Sequence, residues 1–299
     1  MNKMLIIKIL FYFYQKGKNL LGGRGLTKYS FVRKVKNYSS SHLQTDYAEV
    51  FGNKLLLCKK GLSLAISHYG TYEKSEAKVM EEKIKGGNIV VDVGANIGLH
   101  TLNMARIVGN TGQVFAFEPD PSNFKILGKN VKVNNYKNII LEQKAVGDKH
   151  GRATLYHADN PGMHRIFPQT KARSTGRLGQ VQVELTSLDK YFIDSNLVDK
   201  INFIKIDVEG LEFSVLKGME NILKNNKKIK ILFEFMPKNI MEADFIPIEL
   251  LNYLTLHDFK LYCIDEITEK LIHVSNNEEI LKLCSTTNNT ISRNLFCEK

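Results

Sequence analysis

Several signatures are missing from this chain, and each absence narrows what it can be. Its four cysteines, Cys58, Cys263, Cys284 and Cys297, form no Cys-x-x-C pair and have no histidine at metal-ligand spacing. That argues against a zinc module and makes a reduced, cytoplasmic setting the simpler expectation. No dinucleotide fingerprint is present: the first, third and sixth positions counted from Gly94 are Gly94, Asn96 and Leu99. The pyrophosphate reading fails on two of the three. Met4–Tyr14 is strongly apolar, but Lys8 interrupts it and it is too short to span a bilayer as a helix. No small-x-small cleavage site follows it, so a removed signal is not expected. The sequons at Asn37 and Asn288 are read as chance matches. No internal repeat occurs.

Acidic residues are scarce at the start. Residues 1–60 hold twelve Lys/Arg against Asp46 and Glu49, which accounts for +10 of the net +11. The charge therefore belongs to the leading segment and not to the rest of the chain. Such a segment suits an anionic surface, either lipid head groups or nucleic-acid phosphate. With Lys3, Lys8, Lys16 and Lys18 beside an apolar run, residues 1–20 suit either an interfacial helix on anionic lipid or packing against the body or a partner. The division expected is a basic leader and linker over 1–45, a small cap of β-ribbon and helix over 46–87, and an α/β body over 88–299.

What is present begins at Asn88. Ile89–Val93 is an apolar, β-branched run that reads as a strand buried on both faces. A glycine turn follows (Gly94-Ala95-Asn96-Ile97-Gly98), then a helical pattern over about Ile97–Val108. Strand, tight turn and helix open a nucleotide-type site in an open α/β sheet. Gly94 and Gly98 lack a Cβ, so backbone can approach a ligand closely there. One strand further on, Gln113–Phe117 ends in Glu118-Pro119-Asp120. Pro119 cannot continue a central strand, which places Glu118 at a strand's carboxyl end. A carboxylate there can accept both hydroxyls of a ribose.

Upstream, a ribbon is expected from Lys54–Cys58 pairing with Leu62–Ser67, then a helix over Thr71–Lys85. Downstream, the alternation predicts a helix near Pro121–Asn134, a third strand Ile139–Ala145, and an excursion over Val146–Leu185. Ala153–His157 and Val181–Leu185 read as a hairpin within that excursion, around a turn-rich loop at Asn160–Arg165. A short helix follows at Ser187–Ser195, then strands at Ile201–Ile206 and Ile229–Phe235 and a helix around Ile248–Leu256. Two closing segments, Lys260–Ile264 and Asn294–Cys297, are expected to form a hairpin whose last strand is antiparallel. The fold class expected is α/β, mostly parallel, with helices on both faces.

A third constellation, Lys205-Ile206-Asp207-Val208-Glu209-Gly210, ends the fourth strand, and Glu234 ends the fifth. This sheet edge faces the ligand crevice in open α/β folds. Three carboxylates there can bind a metal, position a cation or accept a proton; Glu209 can alternatively pair with Lys205.

In this order, Asp92-x-Gly94-Ala95-Asn96-x-Gly98, Phe117-Glu118-Pro119 and Lys205-x-Asp207-x-Glu209-Gly210 resemble the FkbM family of S-adenosylmethionine-dependent methyltransferases. Gly70-Thr71-Tyr72-Glu73 and Thr186-Ser187-Leu188-Asp189 are similar to that family too. The resemblance covers about residues 50–299 and implies a class I, Rossmann-like sheet of seven strands. It also implies O-methylation of a hydroxyl, often on a sugar, a glycan or a polyketide-like molecule; a lipid-linked acceptor would reconcile that activity with the basic leader. Carried over, Asp92, Gly94, Ala95, Asn96 and Gly98 serve the methionine and ribose part of S-adenosylmethionine. Glu118 holds the ribose, Ala145 flanks the adenine, and Asp207 lies under the sulfonium. Asp207, Glu209 and His164 are the candidates for the base that takes the hydroxyl proton; no metal ligand set is assigned. His100 follows the glycine turn, where a lone histidine is more often structural. The Asn/Asp-Pro-Pro-aromatic loop of many amine methyltransferases is absent after the fourth strand. Two other readings stay open: an RNA methyltransferase using the basic arm on phosphate, and a binding protein that keeps the fold without turnover.

Overall fold

The structure is a computed structural model and describes residues 47–57, 66, 72–158, 164–166, 179–285 and 291–299. The predicted leader and linker, and most of the loop at 160–165, lie outside the described residues. The chain divides into two compact units, one of Met1–Ala48 with Leu56–Tyr72 and one of Glu49–Leu55 with Glu73–Lys299. The second unit holds the α/β body.

The ribbon is real, but its partner differs from the expected one. β1 (Tyr47–Val50) pairs with β2 (Asn53–Leu56). Phe51 and Gly52 both have positive φ (49° and 74°). That is the geometry of a two-residue hairpin turn, which matches the twist of the strands it joins. Lys54 therefore pairs backwards along the chain; residues 58–65 of the expected partner are outside the described residues. α1 (Lys74–Lys83) follows, shorter than predicted.

The body then alternates as the sequence implied. β3 (Ile89–Val93), α2 (Leu99–Val108), β4 (Gln113–Phe117), α3 (Pro121–Val133) and β5 (Ile139–Glu142) build one half. After an excursion and α4 (Leu188–Phe192), β9 (Ile201–Ile206), α5 (Glu212–Lys217), α6 (Glu220–Asn225) and β10 (Lys230–Phe235) build the other. α7 (Pro237–Glu242), α8 (Pro247–Leu256), β11 (Lys260–Asp265), β12 (Lys270–Val274), α9 (Asn277–Leu283) and β13 (Arg293–Glu298) complete it.

The main sheet has eight strands in the order β12-β11-β13-β10-β9-β3-β4-β5, one more than the seven expected. The extra strand is β12, which returns from β11 and pairs antiparallel along it from Leu261↔Val274 to Asp265↔Lys270. β10, β9, β3, β4 and β5 are mutually parallel. β13 is antiparallel between β10 and β11, as expected of the last strand. The predicted third strand is two strands. Ile139–Glu142 stays beside β4, whereas β6 (Lys144–Val146) leaves to pair with β8 (Gln180–Thr186) in a small sheet completed by β7 (Gly151–Tyr156).

Helices cover both faces. Val90, Val114, Phe203, Leu232 and Phe296 pack on Met80 of α1 and on Met104, Ala105 and Val108 of α2. Their strand neighbours Val91, Phe115, Ile204, Ile231 and Phe233 face the opposite side, against Leu216, Leu223, Leu250 and Leu254. This two-residue alternation with apolar groups on both sides is what a buried parallel sheet requires. Strand order reverses between β3 and β9, where the chain has gone outward through β4 and β5 and returned to the other side. Open α/β sheets bind ligands at such a point. Among the described residues no helix is long and apolar enough to cross a membrane.

Candidate active site

The carboxyl ends of β3 and β9 meet at Gly94. Its φ is +85°, and a Cβ added there would stand 1.9 Å from the Asp207 carbonyl oxygen. Only glycine fits, because β9 occupies the space a side chain would take. The amides of Gly94 and Ala95 both donate to the Phe117 carbonyl, at 3.0 and 2.9 Å, which folds the turn over the end of β4. Asn96, at φ 52°, then donates its N–H to Glu118 Oε2 at 2.7 Å. Glu118 Oε1 accepts the Asp120 N–H at 2.8 Å. Burial pushes the Glu118 carboxyl up to about 7, against the pull of the two backbone donors.

A cleft opens above these strand ends, at the place where an open α/β sheet binds its ligand. Gly94, Asn96, Glu118, Ala145, His164, Asp207 and Glu209 line it, so seven of the residues singled out in the sequence converge here. Asp92, Ala95 and Gly98 stand behind its wall. Ala95 packs with Ala116 and Leu127. A Cβ on Gly98 would meet Leu127 Cδ1 at 2.6 Å, so the space its missing side chain leaves is filled by α3 and not left open for a ligand.

Asp92 belongs to a polar layer under the cleft. On the α1/α2 face the sheet is apolar through Val90, Phe203 and Leu232 and turns polar at its carboxyl end, where Asp92 stands beside Lys205 and Glu234 beside Asn294. Buried Asp92 accepts the Thr101 hydroxyl at 2.5 Å. Lys205 Nζ donates to Asp207 Oδ2 at 2.9 Å. Burial acts to discharge that lysine, but Asp207, Asp92 and Glu73 outweigh it and hold it above the ordinary lysine range. His100 Nε2 lies 2.6 Å from Glu73 Oε2 and 3.6 Å from Glu76 Oε2. His100 is thus tied into this layer, as its structural reading expected. Burial also acts to raise the Glu73 carboxyl, yet the hydrogen bond and charge of His100 bring it below the usual value.

Asp207, Glu209 and Glu234 each bring a carboxylate oxygen to one point, within 4.8 Å of one another. The sequence left Glu209 free to pair with Lys205; Lys205 takes Asp207 instead. Glu209 Oε2 accepts from Asn239 Nδ2 at 3.1 Å and lies 3.7 Å from Arg165 Nη2. Buried Arg165 also binds Glu242 at 2.6 Å, and so links the excursion to α7. Glu209 has φ 56°, a conformation disfavoured for a side-chain-bearing residue. Burial, then the charges of Asp207 and Glu234, push its carboxyl up to about 8. Burial and Asp207 lift Glu234 to about 8 as well.

His164 faces the other end of the cleft. Its Nδ1 accepts the Ala158 N–H at 3.1 Å, and its ring lies 4.7 Å from that of His157. His157 Nε2 in turn meets Asp120 Oδ2 at 2.9 Å.

The sequence model of the methyltransferase FkbM domain matches residues 92–261. The chain belongs to this family. All the cleft-lining residues, from Val93 to Glu209, fall inside the matched span. Among curated relatives, Methyltransferase 1 of Beauveria bassiana is 28% identical over 148 residues, covering 45% of this chain and 59% of the relative. Hexuronic acid methyltransferase AglP of Haloferax volcanii is 31% identical over 156 residues, covering 51% of this chain and 59% of the relative. The chain thus spans about three fifths of each of these relatives. A solved methyltransferase FkbM from Methylobacillus flagellatus KT aligns at 15% identity and a TM-score of 0.42, covering 78% of this chain and 52% of that one.

This FkbM-family cleft also draws on residues the sequence did not single out for the site: Asn123, Lys144, Leu155 and Ile166. Three of them come from the excursion or its entry, whose return over the cleft is a tertiary event. Arg165 was visible only as one basic residue among several in that excursion.

Proposed function

We propose that this chain is an S-adenosylmethionine-dependent O-methyltransferase whose acceptor is a hydroxyl of a sugar, a glycan or a polyketide-like small molecule. The observation that carries the reading is Glu118. It is buried at the end of β4, and the glycine turn fixes it through the Asn96 amide with each oxygen holding one backbone donor. Each carboxylate oxygen retains acceptor capacity, which suits the two hydroxyls of a ribose at the cleft wall. The opposite end of the cleft suits a positive centre, because Asp207, Glu209 and Glu234 converge there and a cation favours their ionised forms over the protonated ones that burial promotes. The residues present therefore fit the cofactor. When bound, it supplies a methyl group on positively charged sulfur.

The protein's own work is largely alignment, since an in-line displacement needs nucleophile, carbon and sulfur on one axis. Glu209 is the base we assign. Its carboxyl is pushed up to about 8, so its ionised form is a stronger base than an ordinary glutamate and becomes more populated as pH rises toward 8. Glu209 would take the proton of the acceptor hydroxyl as that oxygen is methylated. Asn239 and Arg165 hold that carboxylate toward the cleft. Support for a sugar acceptor comes from the Haloferax relative, named as a hexuronic acid methyltransferase.

Calorimetric titration with S-adenosylhomocysteine tests the reading. We expect micromolar binding by the wild-type chain, loss of at least tenfold in Glu118→Ala, and no binding of NAD. A folded wild-type chain that binds no S-adenosylhomocysteine overturns the proposal.

A further inference from the structure

The excursion between β5 and β9 returns a single polar ring to the cleft, and its hydrogen bonds define which of its edges can meet a ligand. His164 Nδ1 accepts the Ala158 N–H at 3.1 Å, so its lone pair is at Nδ1 and, in the neutral ring, its proton is at Nε2. Among the described residues no partner takes that Nε2–H. A neutral imidazole so tautomerised offers the cleft a donor and no basic lone pair, which removes His164 as the base for a hydroxyl proton.

Three contacts hold the ring in place. His157 packs beside it, with ring centroids 4.7 Å apart. His157 Nε2 is anchored on Asp120 Oδ2 at 2.9 Å. Tyr156 and Arg165 exchange both backbone hydrogen bonds, at 2.7 and 3.1 Å, in an isolated antiparallel bridge that fixes the backbone next to His164. The anchor is informative about location. Asp120 donates its own amide to Glu118 Oε1, so His164, His157, Asp120 and Glu118 form one connected chain. His164 therefore belongs to the Glu118 end of the cleft. The wall it shares there with Ala145, Leu155 and Ile166 is apolar, and an apolar wall bearing one fixed donor suits a flat heteroaromatic ring. Burial, together with the neighbouring His157 and against the pull of Asp120, lowers the His164 pKa, the direction that favours the neutral ring.

We propose that His164 is a binding residue for the nucleoside base of the cofactor, donating its Nε2–H to a ring acceptor atom. This rests on the cofactor reading above. The three contacts make it a donor whose orientation is set before the ligand arrives, so little ordering cost attends its use.

The test compares wild type, His164→Ala and His164→Gln, the last keeping a side-chain N–H donor. The probes are S-adenosylhomocysteine, 5′-methylthioadenosine, which has the nucleoside without the amino-acid tail, and homocysteine. One hydrogen bond of this kind is worth roughly five- to tenfold in affinity. His164→Ala is expected to weaken the first two probes by about that same factor, and His164→Gln to restore most of it. The proposal is overturned if folded His164→Ala binds methylthioadenosine as tightly as wild type. It is also overturned if His164→Gln loses as much as His164→Ala, which would indicate packing alone. Failure of the wild type to bind any nucleoside probe strikes the cofactor reading itself, and is recognised before any substitution is compared.

Discussion

Gly94 and Glu209 both have positive φ, for opposite reasons. At Gly94 the neighbouring strand leaves no room for a Cβ. Gly94→Ala places that atom 1.9 Å from the Asp207 carbonyl in a strained conformation. We expect a loss of about 3 kcal/mol or more, read as a lower urea midpoint, since overpacking and backbone strain add. At Glu209 the strain is borne by a side chain that faces the cleft. Glu209→Gln keeps the shape and removes the base. The expected outcome is a fall in kcat of about 10²-fold or more with S-adenosylhomocysteine affinity changed little. An unchanged kcat would remove Glu209 from the mechanism. The Lys205 pairing shows where residue-level reading stops. Residues two apart share a strand face, which favours Asp207 as its partner. Glu209 lies beyond the strand end, where only the left-handed backbone decides its direction.

Among elements, the central strands and most helices with a cap or a full period are readable, including the short Ser-capped α4, and other short helices are not. β9 was placed at its observed bounds, and α8 within one residue of its start. α5, α6 and α7 have six residues each and went unread, because fewer than two turns show no 3.6-residue period. The split of Ile139–Ala145 into β5 and β6 had no local signal either: the two pieces differ in partner, not in composition. α3 shows the reverse case, a start legible from Pro121 alone. Asp120 caps it, accepting the Ser122 and Asn123 amides at 2.9 Å each while also holding His157. Asp120→Ala is expected to cost about 1–2 kcal/mol in urea denaturation, from the lost cap and the released histidine.

For the whole molecule, burying so many carboxyls at one sheet edge links stability to pH. Glu118 and Glu212 are lifted to about 7, and Glu209 and Glu234 to about 8, in each case first by burial. An ordinary glutamate titrates near 4.5, so between that pH and about 8 the folded state holds protons that the unfolded chain has lost. The contribution is therefore present in full below about pH 4.5 and is lost as pH rises through 7 to 8. We expect a lower urea midpoint at pH 8.5 than at pH 6. A cationic ligand prefers the ionised cluster, so S-adenosylmethionine is expected to gain affinity relative to neutral-sulfur S-adenosylhomocysteine over the same range. A ratio of affinities flat with pH would separate the cluster from the positive centre.

The sequence by itself determined the strand–turn–helix at Asp92–Gly98, the acid after β4 and the Asp207 motif after β9, since each needs only local backbone preference and spacing. It also determined the mostly parallel sheet with helices on both faces, through apolar runs of strand length separated by helical ones. The tertiary structure decided what those motifs touch. It filled the space beside Gly94 and Gly98 with the protein's own atoms, gave Lys205 to Asp207, added β12 to the sheet edge, and brought His164 to the cleft and Arg165 beside Glu209 from well upstream of β9. These are contacts between segments distant in the chain. Their energy depends on shape and burial after folding, which no local pattern of residues encodes.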